Sequence, residues 1–373
     1  MESQRQTGPD RLFQGAADGD PVIEGLRGWA AFMVMATHYT YLLTPQAGLW
    51  GFASTGVDLF FVLSGYVFAP YLFGKPLRLA SHLIRRLFRL YPLYLCALLL
   101  YVGLRLPAAT AWSHFVVHLF MAHTLTSLEV ANYYNSAFWS LPPEVEYYLL
   151  LPLLAWAFIR FRSIRFRFVW LLLLALAMHL LLVAAASPDE KGITARAIAT
   201  VHLPGLLIEF MLGSAAYALA QRDAEGRASL LRLVLGLSVL AGMGFLFASY
   251  IAPVHGVAST PPLWIGGNIG FGAALGYAFV VSALASPRRQ TAGQSTPWFS
   301  PWFVFMGQLS YGVYLFHNAA PQILGRILPS VSGGAAVLLC VGITLALAWA
   351  AHHAIERPLR NYGRRLSQKF RHC

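Results

Sequence analysis

Arg27 and His38 stand eleven residues apart in IEGLRGWAAFMVMATHYTYLL, residues 23–43, a stretch otherwise apolar enough to cross a bilayer. Ionisable groups in hydrocarbon are costly and mark places where a membrane protein binds or transfers something. Eleven residues make about three helical turns, so both side chains project from nearly one face, His38 lying about 16 Å along the axis from Arg27. An imidazole changes protonation near neutral pH and suits general-base work. A guanidinium binds phosphate in forked geometry. Glu24, three residues before Arg27, is placed to pair with it. A structural reading stays open beside this one: Arg27 snorkelling at a helix end, and His38 satisfied by a neighbouring helix.

Other groups share this character. Arg85, Arg86 and Arg89 crowd the start of another apolar run and, with Arg27, suit a phosphorylated ligand arriving from the cytoplasm; ordinary surface anchors are the plain alternative. SAFWSLPPEVEYYLL, residues 136–150, holds Trp139, Ser140, Glu144 and Glu146 at a span entry. One of those acids can be a helix cap, and the same discount applies to Asp58. In GQLSYGVYLFHNA, residues 307–319, His317 lies about 21 Å above Phe303 at 1.5 Å per residue, and His38 lies about 22 Å above Ile23. Two histidines at one depth are candidate site partners, a pair of core-satisfied imidazoles being the alternative. His114, His118 and His123, like His352, His353 and Glu356, are assigned no metal, because the ligand spacing is incomplete.

These residues need elements to hold them. Of 373 residues, 57% are hydrophobic and 11% charged, against about 25% charged in soluble domains. The composition predicts an all-α, polytopic integral membrane protein. Apolar runs near 20 residues predict about ten transmembrane helices: 23–43, 57–73, 87–104, 143–159, 168–186, 201–220, 233–251, 263–285, 303–324 and 335–354. WSHFVVHLFMAH, residues 112–123, is short and carries three histidines, and reads as interfacial or re-entrant. With both termini cytoplasmic, the inner segments hold 22 of the 27 lysines and arginines and the outer ones four, Arg27 lying within a span, as positive-inside bias requires.

A net charge of +12 raises nucleic acid as a partner, but the bases lie in short loops between spans, which removes that reading. Cys96, Cys340 and Cys373 form no spaced pair. Residues 1–22 read as a cytoplasmic tail without a secretory apolar core, 23–356 as the membrane domain and 357–373 as a basic cytoplasmic tail. Arginine outnumbers lysine 24 to 3, which hints at a GC-rich, bacterial genome.

EGLRGWAAFMVMATH, GVDLFFVLSGY, RRLFRLYPLY, FWSLPPEVEYYLL, LIEFMLGSAAYAL, GQLSYGVYLFH and IERPLR, in this order over the whole chain, resemble membrane acyltransferase family 3. These are polytopic acyl-CoA-dependent O-acyltransferases of cell-envelope sugars and related acceptors. The resemblance implies acyl-CoA, acetyl-CoA above all, as co-substrate with no permanently bound cofactor or metal. It also implies a carbohydrate or glycoconjugate acceptor and a multi-pass place in a bacterial cytoplasmic membrane. The family's arginine and histidine fall on Arg27 and His38, its basic motif on Arg86 and Arg89, its glutamate on Glu144, and its Ser-Tyr to His motif on Ser310, Tyr311 and His317. The roles expected are catalytic for His38, Glu144 and His317, donor binding for Arg27, Arg85, Arg86 and Arg89, and acceptor binding for Asp58, Trp139, Ser140 and Tyr311. Val145 and Glu146 depart from the family's acid and glutamine, Pro142 and Pro143 are unusual, and no fused periplasmic domain follows. Acceptors among relatives range from polysaccharides and glycolipids to macrolides, and an acyl-histidine relay is the variant mechanism. A secondary transporter, the reading from another class, would show paired halves with interrupted helices, and neither is visible in the sequence.

Overall fold

Asp20 starts the first helix: its carboxylate accepts a hydrogen bond from the Val22 amide at 2.9 Å, and Pro21 takes the first-turn position where a missing N–H costs nothing. The computed structural model describes residues 20–44, 48–160, 164–186, 195–223, 226–251, 263–285 and 301–370. Most of the tail 1–22 and the end of the tail 357–373 lie outside the described residues. The longer helices are α1 (Pro21–Thr40), α2 (Gly56–Leu72), α3 (Leu79–Arg105), α4 (Leu141–Arg160), α5 (Ile164–Ala185), α6 (Leu203–Arg222), α7 (Ser229–Leu246), α8 (Ile269–Leu284), α9 (Pro301–Phe316), α10 (Ala319–Ile327), α11 (Gly333–Ala351) and α12 (Arg357–Lys369). All the regular structure among the described residues is helical.

Six stretches are long and apolar enough to cross a membrane: Gly48–Leu72, Leu79–Arg105, Phe168–Ala185, Ala197–Arg222, Ser229–Ile251 and Gly333–Lys369. The chain is a multi-pass membrane protein. Of the ten expected spans, four fall short of this measure. α8 and α9 have only 16 residues each. Glu24, Arg27 and His38 depress the mean hydropathy of α1, and Glu144 and Glu146 that of α4. Thus α1, α4 and α9 fall short; α1 and α4 carry Arg27, His38 and Glu144, and His317 directly follows the end of α9.

Helix directions follow from contacts repeated along pairs. Gly28 of α1 meets Gly307 of α9, and ten residues further along both helices His38 meets His317, so α1 and α9 run parallel. A Cβ on Gly28 would stand 2.9 Å from the Gly307 nitrogen, and one on Gly307 would overlap the Glu24 carbonyl; only glycine permits this approach. Asp58 meets Glu209 and, eight residues on, Tyr66 meets Tyr217, so α2 and α6 are also parallel. α7 and α8 are antiparallel, Gly236 against Gly276 and Met243 against Gly272.

The expected span 303–324 is interrupted at His317 and Asn318, a break that no breaker residue announced. Side chains satisfy the carbonyls it frees. Tyr39 donates to the His317 carbonyl at 2.9 Å, and Tyr101 and Asn135 donate to the Leu315 carbonyl at 3.0 and 3.1 Å. Residues 109–140 form short helical turns rather than one crossing. The closing basic segment is itself a helix: α12 packs on the start of α3, Gly363 against Phe88, and Ser367 accepts from Arg85 Nε at 2.9 Å.

Candidate active site

Arg27 lies 7% exposed among apolar neighbours, and Glu24 Oε1 at 2.7 Å from its Nη1 offsets part of the desolvation cost, as the i, i+3 spacing predicts. Arg27 faces a cavity of about 60 Å³ that also takes Arg89 from α3, Ser140 and Glu144 from the start of α4, and Ser310 and Tyr311 from α9. Four separated segments thus bring six of the singled-out residues to one place. Ser64 of α2 and Tyr314 of α9 complete its polar lining. Glu144 accepts a hydrogen bond from Tyr148 and one at 3.4 Å from Ser64 Oγ. The unusual Pro142 and Pro143 lie in the first turn of α4, where proline is tolerated, and leave Glu144 in that turn.

Tyr314 leads from this cavity to the histidines. Its hydroxyl stands 2.6 Å from Ser140 Oγ, and its ring centroid 6.0 Å from that of His317. The His38 and His317 rings are 4.7 Å apart, and His317 is fully buried. Hydrogen bonding fixes both tautomers. His38 Nδ1 faces the Val34 carbonyl at 2.9 Å and His317 Nδ1 faces the Val313 carbonyl at 3.2 Å. A carbonyl only accepts, so each Nδ1 carries the proton and each Nε2 presents a lone pair. His38 Nε2 accepts from Ser136 Oγ at 3.2 Å; that hydroxyl in turn accepts from Asn318 Nδ2 at 3.1 Å, and Asn318 also donates to Asn135 Oδ1 at 2.6 Å. His317 Nε2 has no partner among the described residues. An imidazole whose Nε2 already receives a hydroxyl proton from Ser136 can take one from a substrate hydroxyl that replaces it.

Arg86 stacks over Phe68 at 4.9 Å and lies 5.7 Å from the Tyr148 ring. With Arg78, His82 and Arg85 it lines a second cavity, about 330 Å³, whose walls include Phe68 and Tyr71. Trp139 packs against Phe61 at 6.3 Å between ring centroids and does not line the first cavity. Asp58 is elsewhere too, hydrogen-bonded to Glu209 on another face of α2.

Residues 20–353 match the acyltransferase domain of family 3. The chain belongs to acyltransferase family 3. It is therefore an acyltransferase enzyme. No curated protein and no solved structure matches this acyltransferase. Ser136 and Asn318, which form the hydrogen-bond chain at His38, and Tyr314, which joins the cavity to His317, escaped the sequence reading because neutral polar residues near helix ends carry no distinctive signal. Glu209 had one, an acid inside an apolar span. Glu146 serves structure: Oε1 pairs with His202 Nδ1 at 2.9 Å and Oε2 caps the Leu203 amide at 2.7 Å, joining α4 to the start of α6.

His118 and His123 of the 109–140 segment stack at 4.4 Å with rings parallel within 1°. Among the described residues no group of three or more His, Cys, Asp or Glu is placed to hold a metal. Burial pushes His118 down to about 4 and His123 down to about 3, so both are neutral at neutral pH. Below the ordinary histidine value of 6.5 the unfolded chain takes up protons that these folded imidazoles refuse, so stability is lost as pH falls from there. The thermal midpoint is expected to drop between about pH 7.5 and pH 5, and His123→Gln should narrow that drop.

Proposed function

We propose that the acyltransferase moves an acyl group, acetyl in the simplest case, from cytoplasmic acyl-coenzyme A to a hydroxyl of an extracytoplasmic carbohydrate or glycoconjugate, with His38 as general base. The observation that carries this reading is the convergence of Arg27, Arg89, Ser140, Glu144 and Tyr311 on one cavity that leads through Tyr314 to two adjacent imidazoles, of which His38 Nε2 holds the Ser136 hydroxyl that an acceptor hydroxyl would replace. The acceptor O–H gives its proton to His38 Nε2 while its oxygen bonds the thioester carbonyl carbon. The C–S bond then breaks, and the thiolate takes the proton back as coenzyme A leaves. His317, whose Nε2 has no partner among the described residues, is the alternative acceptor for the same proton. Glu144 and Ser140 orient the acceptor.

The donor's phosphates suit the cavity of Arg78, Arg85 and Arg86, where Phe68 and Tyr71 offer faces to an adenine ring. An apolar groove of about 420 Å³ lined by Leu83, Leu87, Leu90, Phe120 and Leu149 adjoins both Arg86 and Tyr148. It favours, as a second reading, a longer acyl chain or a lipid acceptor.

Ten crossings with both termini cytoplasmic accord with the parallel pairing of α1 with α9 and of α2 with α6, and with the antiparallel α7 and α8. Reporter fusions after Glu190 should read external and one after Arg222 internal; the reverse at either site refutes the topology. The function is tested with purified enzyme in sealed vesicles of known orientation, acyl-CoA confined to the cytoplasmic face and acceptor offered on either side. Ester should form only with acceptor on the outer face. Arg86→Ala should raise the KM for donor about tenfold or more, the loss of a charge-assisted contact of roughly 1.5–3 kcal/mol, with kcat little changed. Ester formed only on the cytoplasmic face would overturn the arrangement.

A further inference from the structure

Arg85 lines the cavity that suits the donor's phosphates, and it is held there by a residue 282 positions further along the chain. Its Nε donates to Ser367 Oγ of α12 at 2.9 Å. Ser367 is fully buried, and its own hydroxyl proton goes to the Arg364 carbonyl at 2.7 Å. That hydroxyl therefore meets Arg85 only as an acceptor. A guanidinium carries five N–H donors, and with Nε engaged the four on its two Nη atoms remain. Among the described residues no protein acceptor takes those four, and no acid pairs with Arg85.

Helix packing fixes where the Ser367 hydroxyl stands. Gly363 and Ser367 lie four residues apart on one face of α12, Phe88 and Arg85 three apart on one face of α3, and the two contacts make the helices antiparallel. A Cβ on Gly363 would stand 2.4 Å from that of Phe88, so the helices approach closely, and the Tyr362 ring packs on Phe88 at 5.4 Å. A serine here does what an acid could not. A carboxylate would hold Arg85 too, but it would cancel the charge that attracts a phosphate.

We propose that Ser367 is a positioning residue for the donor: it holds Arg85 by Nε so that the Nη fork, beside Arg78 and Arg86, meets a phosphate of acyl-CoA. The inference rests on the reading of this cavity as the donor site. It adds α12, which begins after the family domain ends at residue 353, to the elements that bind the donor. A guanidinium already held in place loses less freedom when it grips an anion, so its contact yields more affinity.

The test is the dissociation constant of coenzyme A, measured by calorimetry with the full-length protein in detergent. Ser367→Ala should weaken binding about three- to tenfold, and Arg85→Ala about tenfold or more. In the Arg85→Ala background, Ser367→Ala should add nothing, because the serine acts only through the arginine. A packing role alone would add its loss in both backgrounds. Should Ser367→Ala not fold, Ser367→Cys, whose sulfur is a weak acceptor, takes its place in the same cycle. Weak binding in Arg85→Ala with wild-type binding in Ser367→Ala overturns the inference and leaves the donor reading standing, as does an equal Ser367 effect with and without Arg85. Undiminished binding in Arg85→Ala removes this arginine from the donor site, and the inference falls with that reading.

Discussion

His38→Ala is expected to lower acyl transfer by about 10²–10⁴-fold, the range for loss of a positioned general base, while the protein still inserts and still binds coenzyme A. The arginines proposed to hold the donor's phosphates sit at the start of α3 or just before it, whereas His38 stands near the far end of α1, about 16 Å along the axis from Arg27. Removing the imidazole therefore leaves donor binding in place. His38→Gln separates chemistry from packing, because its amide can still meet Ser136 Oγ but cannot serve as a base near neutral pH. Both variants should lose turnover and retain the donor dissociation constant. Ser136→Ala, which removes a hydrogen bond to Nε2 and leaves the base, should cost far less. Turnover within tenfold of wild type in His38→Ala would remove the catalytic role from this residue.

Gly307→Ala is expected to have the second-largest effect, although the residue touches no substrate. The added carbon would overlap the Glu24 carbonyl of α1, so the two backbones must separate. Overpacking at a tight contact costs about 1–3 kcal/mol, and a misplacement near 1 Å at a reacting group can cost about 10²-fold in rate. The separation displaces His38 relative to His317, ten residues further along both helices, and loosens the Glu24–Arg27 pair at the contact itself. Activity should fall more than the thermal midpoint predicts. Gly242→Ala, where a Cβ meets nothing, is the control and should be neutral. Equal behaviour of the two variants would show that the α1–α9 contact does not set the geometry.

Helical period and rise made part of the candidate site legible. They placed Arg27 and His38 on one face and His38 and His317 at one depth, and these are quantities that a rigid α-helix carries from sequence to space. Partner choice across helices was not legible. Arg85 lines one cavity with Arg86 and also donates to Ser367 near the end of the chain, whereas Arg89, grouped with them by position, faces the other cavity. Asp58 had the right type for an acceptor contact, yet its helix face points to Glu209. Trp139, read as a stacking surface for a sugar, packs on Phe61. Ten spans were read where six meet the length and hydropathy of a membrane crossing, because site polarity in α1 and α4 and the break at His317 dilute the signal that identifies a span.

The pairing of α1 with α9 also orders events during synthesis. The ribosome makes His38 about 280 residues before His317, which at about 5–20 residues per second is an interval of roughly 15–60 s. Throughout that interval α1 is the least self-sufficient inserter of the early chain, with Glu24, Arg27 and His38 facing outward from its axis and its glycine-smoothed surface uncovered. α2, apolar and next to emerge, packs against α1 and can shelter it in the translocon. The two imidazoles meet only after α9 has been made, so a nascent chain arrested before α9 lacks the proposed catalytic pair however many earlier helices it has inserted.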